Sequence, residues 1–111
     1  MAGDTVWASS NNTSGVSIHH ARNGMTVLQA LADPVRVEIV RQLAAGTGEV
    51  TCGEVEVPVA KSTASHHIRT LVVAGVIAER EDGRRKYLRL RRTELDKRFP
   101  GLIEAVLRAT R

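Results

Sequence analysis

The stretch "KSTASHHIRTL", residues 61–71, decides how this chain is read. It combines short hydroxyl side chains, two adjacent histidines and an arginine, and it runs into an apolar tail. Successive side chains on an α-helix point about 100° apart. Ala64, Ile68, Leu71 and Val72 therefore share one face with His67 at its edge, while Lys61, Ser62, Ser65, His66 and Arg69 take the other. The same angle separates Ser65 from His66 and His66 from His67. A nucleophile–base pair needs convergent groups and an orienting third residue, and helical zinc ligands need i,i+4 spacing. No catalytic residue, metal ligand set or cofactor is expected here.

What remains is a polar face without acids: none lies between Ala60 and Glu79. An ordinary solvated helix face would carry Glu and Lys at i,i+4 spacing. Short hydrogen-bonding side chains with a long cation near the helix N-terminus are instead what a helix needs to read base edges in a major groove. Lys61, Ser62, Thr63, Ser65, His66 and Arg69 are the candidate contacts, with Ser62 or Thr63 and the first backbone N–H groups suited to a phosphate.

The flanking segments supply the context. Gly75 ends the helix, and "VIAEREDGRRKYLRL" (residues 76–90) reads as two extended runs around "DG", a tight-hairpin signal. Its tip carries Arg84, Arg85 and Lys86, and alternation sets Tyr87 and Arg89 against Leu88 and Leu90. Upstream, helix-spaced Val27, Leu28, Leu31, Val35, Val37, Ile39, Val40 and Leu43 predict helices at about 23–32 and 34–45. Asp33 is the expected N-cap of the second, with Pro34 at its first position. "TCGEVEVP" (residues 51–58) is a short element of uncertain type. Thr93, with Asp96 three residues on, is expected to cap a final helical region that Pro100 and Gly101 break. Residues 1–22 begin as an aperiodic Ser/Asn/Thr/Gly stretch and read as a flexible tail, with a short helix as one option for 16–24. The division is thus 1–22 tail, 23–92 core domain and 93–111 C-terminal helical segment. The fold class is mainly α with a two-stranded β-hairpin, in the order of a winged helix-turn-helix.

Charge is unevenly placed. Residues 1–60 carry a net −3 and residues 61–111 a net +7, an electrostatic footprint for a polyanion. With only Trp7, Tyr87 and Phe99 as aromatics, the core must be aliphatic. A thin core in 111 residues favours an oligomer that buries further apolar surface. No apolar run is long enough to span a membrane, and no apolar signal core opens the chain, so a cytoplasmic protein without a membrane partner is expected. Cys52 is the single cysteine, a small core residue or a candidate redox site.

The blocks "LADPVRVEIVRQLAAG" (31–46), "STASHHIRTLVVAGVIAEREDGRRKYLRL" (62–90) and "TELDKRFPGLIEAVL" (93–107) resemble those of the ArsR/SmtB family of winged-helix repressors. The resemblance implies a homodimeric regulator that binds a double-stranded DNA operator. Its first and last helices would pack across the dimer, through Leu28, Leu31, Leu102, Ile103, Val106 and Leu107. The stripe from Leu95 to Leu107 shows no obvious intrachain partner and suits that role. The sequence departs from the family in its sensing chemistry. Where the arsenic-type site has paired cysteines, "EVTCGEV" (49–55) offers Thr51 and Gly53, or Glu49 and Thr51 in another alignment. Residues 93–111 hold no histidine for a zinc-type site. His19 and His20 are a remaining metal option. Alternatives to a repressor are a protein-interaction or antitoxin-like module on the same fold, and a redox sensor using Cys52; the inducer is unknown.

Overall fold

The computed structural model describes residues 16–17, 23–46 and 48–110. In chain order these form β1 (Val16–Ser17), α1 (Gly24–Leu31), α2 (Pro34–Ala45), β2 (Val50–Thr51), a 3₁₀ turn (Cys52–Glu54), α3 (Lys61–Val73), β3 (Ile77–Asp82), β4 (Arg85–Leu90), α4 (Arg92–Arg98) and α5 (Leu102–Ala109). The fold is a winged helix-turn-helix.

Local chemistry accounts for most boundaries. Asn23 caps α1 by accepting from the Thr26 N–H at 3.0 Å. Asp33 caps α2 by accepting from the N–H groups of Val35 (2.8 Å) and Arg36 (3.1 Å), with Pro34 in the first turn, where its missing N–H costs nothing. At the end of α3, Gly75 takes φ +82°, which lets the Val76 N–H reach the Leu71 carbonyl and the Gly75 N–H reach that of Val72, both at 3.0 Å. Val76 and Leu71 are both fully buried, the apolar contact that accompanies this helix stop.

The hairpin pairs antiparallel from Ile77↔Leu90 to Asp82↔Arg85. Its two-residue loop is thus Gly83–Arg84, with Gly83 at φ +64°. Asp82 belongs to the last strand pair rather than to the turn, so Arg84 stands at the very tip. The hairpin is also wider than the expected two strands. The sheet order is β1-β3-β4-β2, with β2 added to β4 (Val50↔Leu88) and β1 to β3 (Val16↔Arg80). Val16–Ser17 is therefore strand rather than tail or helix. Two-residue strands are too short to show alternation, and they exist only because a partner edge satisfies their backbone. The rest of the proposed tail, including Trp7, His19 and His20, lies outside the described residues.

The core is aliphatic, as composition requires: Val27, Ile39, Val40, Leu71, Val72, Val76, Ile77, Leu88, Leu95 and Ile103 are fully buried. Two expectations for the C-terminal segment are corrected. Thr93 does not cap it. The helix starts two residues earlier, with Arg91 at the cap position and its carbonyl accepting from the Leu95 N–H at 3.0 Å, because β4 delivers the chain directly into the helix. Asp96 pairs with the Arg92 Nε at 3.0 Å. Nor is the apolar stripe unpartnered. Gly101, at φ +84°, turns the chain from α4 into α5, and Leu95 of α4 and Ile103 of α5 both enter this chain's own core. Leu31 is buried there too, leaving Leu28, 47% exposed, and the partly buried Leu102, Val106 and Leu107 with accessible surface.

On α2, Glu38 accepts from Arg41 and Gln42, and Gln42 in turn exchanges two hydrogen bonds with the backbone of Glu56 (2.6 and 3.0 Å). The bond from Arg41, and then that from Gln42, brings the Glu38 carboxyl from its usual 4.5 down to about 2. A depressed carboxylate pKa adds stability that is complete above about 4.5 and is lost as pH falls toward 2. Both Glu38 and Arg41 are a third or more exposed, so solvent screening holds the contribution under about 1 kcal/mol. Glu38→Gln should accordingly make the acid limb of a stability–pH curve shallower below pH 4.5. Superimposable acid limbs for the two proteins would show that the network is energetically silent.

Candidate nucleic-acid interface

The reading face predicted on α3 exists. Lys61, Ser62, Thr63, Ser65, His66 and Arg69 are all exposed, whereas Ile68, Leu71 and Val72 are buried and Ala64 and His67 are half-buried. The two histidines separate as helix geometry requires, their rings 5.9 Å apart and tilted by 59°. His66 faces solvent. His67 packs inward, with its Nδ1 3.0 Å from a guanidinium nitrogen of Arg36. The N-cap position of α3 is Ala60, so no side chain takes up the first N–H groups of this helix. Uncapped donors at a helix N-terminus are chemically suited to an anion.

The wing residues Arg84, Arg85 and Lys86 are exposed at the hairpin tip. The tip and α3 form the two walls of a groove of about 1290 Å³, with Lys61, Ser65 and Arg69 on one side and Arg84, Arg85 and Lys86 on the other. Cys52, Glu54 and Glu79 also line it. Lys86 has a loose ion pair with Glu81 at 3.8 Å. Among the described residues, Lys61, Arg69, Arg84 and Arg85 have no ion-pair partner, so their charge is available to an external anion. Arg80 behaves differently. It is tied to Glu49 at 2.6 Å and lies over the Tyr87 ring at 4.3 Å, bracing the base of the wing.

Cys52 is half-buried and lines the groove. Burial pushes its thiol above the ordinary range, and the nearby Glu79 carboxylate pushes it further against a smaller opposing effect of Lys86. A raised thiol lowers the thiolate fraction, which works against the redox reading. The Glu54 carboxylate is occupied locally, accepting from the N–H (2.9 Å) and hydroxyl (2.8 Å) of Thr51.

Two contributors escaped the sequence. Gln42 anchors the segment that leads into α3, and Arg36 touches α3 directly. Both are half-buried on α2, and no local pattern distinguishes such residues from ordinary helix surface.

A family model described as a helix-turn-helix domain matches residues 31–80, from the end of α1 into β3. The uncharacterized HTH-type transcriptional regulator YceK of Bacillus subtilis (strain 168) is 39% identical over 82 residues, covering 72% of this chain and 82% of that protein. A crystal structure of a possible transcriptional regulator for arsenical resistance shares the fold with a TM-score of 0.57 at 34% identity, covering 76% of this chain and 78% of the other.

Proposed function

The chain belongs to the helix-turn-helix transcriptional regulators, and on that premise we propose that it is a repressor of the ArsR/SmtB type, binding operator DNA as a homodimer. In this reading α3 enters the major groove, where His66 and Arg69 contact base edges. Ser62, Thr63 and the open N-terminal N–H groups of α3 hold a phosphate, and Arg84, Arg85 and Lys86 take further phosphates. The observation that supports it best is the acid-free exposed face of α3 across a groove from the wing cations Arg84 and Arg85, which have no ion-pair partner among the described residues.

The second copy is assigned to the surface left by α1 and α5. Met25 and Leu28 are 66% and 47% exposed, and Leu102, Val106 and Leu107 keep part of their apolar surface accessible. A two-fold dimer would set the two α3 helices about one helical turn, roughly 34 Å, apart on the duplex.

Fluorescence anisotropy on DNA upstream of the gene, with a salt titration, tests this reading. Each lost phosphate contact lowers the slope of log affinity against log salt by about 0.9. Combining Arg84→Ala with Arg85→Ala should therefore flatten the slope by about 2 and weaken selected and random duplexes alike. An unchanged slope would remove the wing from the interface, and binding by the wild-type protein that ignores both salt and sequence would end the DNA-reading proposal.

A further inference from the structure

We propose that Arg36 and His67 are positioning residues that set the rotational register of α3 for base reading. The proposal rests on α3 being the DNA-contacting helix. The Arg36 guanidinium has a partner for each of its nitrogens: Nε donates to the Ala30 carbonyl at 2.7 Å, Nη2 to the Gln29 carbonyl at 3.3 Å, and Nη1 lies 3.0 Å from His67 Nδ1. Gln29 and Ala30 lie in the last turn of α1, where carbonyls run short of helical partners, although the Gln29 carbonyl also accepts from the Ala32 N–H at 3.1 Å. Arg36 therefore caps α1 with positive charge where the helix dipole favours it. Its own N–H is held at the start of α2 by Asp33. One rigid, planar cation joins the end of α1, the start of α2 and the middle of α3.

Because arginine only donates, His67 Nδ1 must accept, which places the imidazole proton on Nε2. This bond is directional and acts near the middle of α3, whereas much of the α3 contact is apolar. Ile68, Leu71 and Val72 bury apolar area, and apolar burial is insensitive to small rotations. At a side-chain radius of about 5–6 Å, a rotation of about 10° moves a side chain on the order of 1 Å. That displacement exceeds the tolerance of a base-edge hydrogen bond. His67 adjoins His66 and lies two residues from both Ser65 and Arg69, so it fixes the register at the centre of the reading face.

The test compares two duplexes, one selected from a random library by the wild-type protein and one a scramble of the same composition. His67→Phe and Arg36→Met should each lower the ratio of selected to scrambled affinity about tenfold, while affinity for the scramble and the salt slope stay within about twofold. His67→Asn, whose side-chain oxygen offers an acceptor near the position of Nδ1, should restore most of the ratio. Arg36→Lys should not, since a point charge cannot serve three partners at once. An unchanged ratio in both His67→Phe and Arg36→Met overturns the proposal. So does a parallel loss on both duplexes, or failure of these variants to fold, because then the bonds hold the fold and not the register. Failure of the wild-type protein to enrich any sequence would instead sink the DNA-reading function itself.

Discussion

Truncating Ile103 to alanine is expected to lower the unfolding free energy by about 3 kcal/mol, within the roughly 2–5 kcal/mol typical of buried large-to-small changes. Ile103 has no exposed surface and lies in the same cluster as Leu95 and Leu43, so its removal leaves a cavity that rigid neighbours on α2 and α4 cannot fill. The contrast that matters is with Leu28, which is 47% exposed. Leu28→Ala should change monomer stability little and instead shift the proposed dimer toward monomer in sedimentation experiments. Urea unfolding at matched protein concentration separates the two, because association contributes to apparent stability by mass action. A loss below about 0.5 kcal/mol for Ile103→Ala, the range of ordinary surface changes, would return this residue to the interface.

Arg69→Ala should cost about 1–3 kcal/mol in binding to a preferred sequence, the worth of a good bidentate contact to a base edge. It should cost much less on random DNA. Arg69 is exposed on the groove wall and has no ion-pair partner among the described residues. It therefore loses no intramolecular partner when truncated, and the change reports on DNA alone. Competition binding with a panel of single-base variants is the measurement. Relaxed discrimination at one position of each half-site is the expected pattern, and equal loss across all sequences would make Arg69 a phosphate contact instead.

The legibility of the chain follows the range of the forces involved. Asp33–Pro34 before α2 and Gly75 after α3 act within a few residues, and each boundary lies where the sequence places it. The polar and apolar faces of α3 were readable because a single helix period sorts them. Thr93 misled because a capping pattern is only a local preference, and the direct passage from β4 through Arg91 overrode it. Gln42 and Arg36 were invisible for the opposite reason. Their partners, Glu56 and His67, are 14 and 31 residues away, and nothing near either residue marks the encounter.

By itself, then, the sequence determined the order of elements, the acid-free face of α3 and the cationic hairpin tip, since helix period, strand alternation and turn chemistry act locally. Only the tertiary structure decided three further things. Ile103 and Leu31 belong to the chain's own core, Val16–Ser17 joins the sheet, and the inward-facing His67 meets Arg36. Each depends on which distant surface the chain meets when it closes on itself.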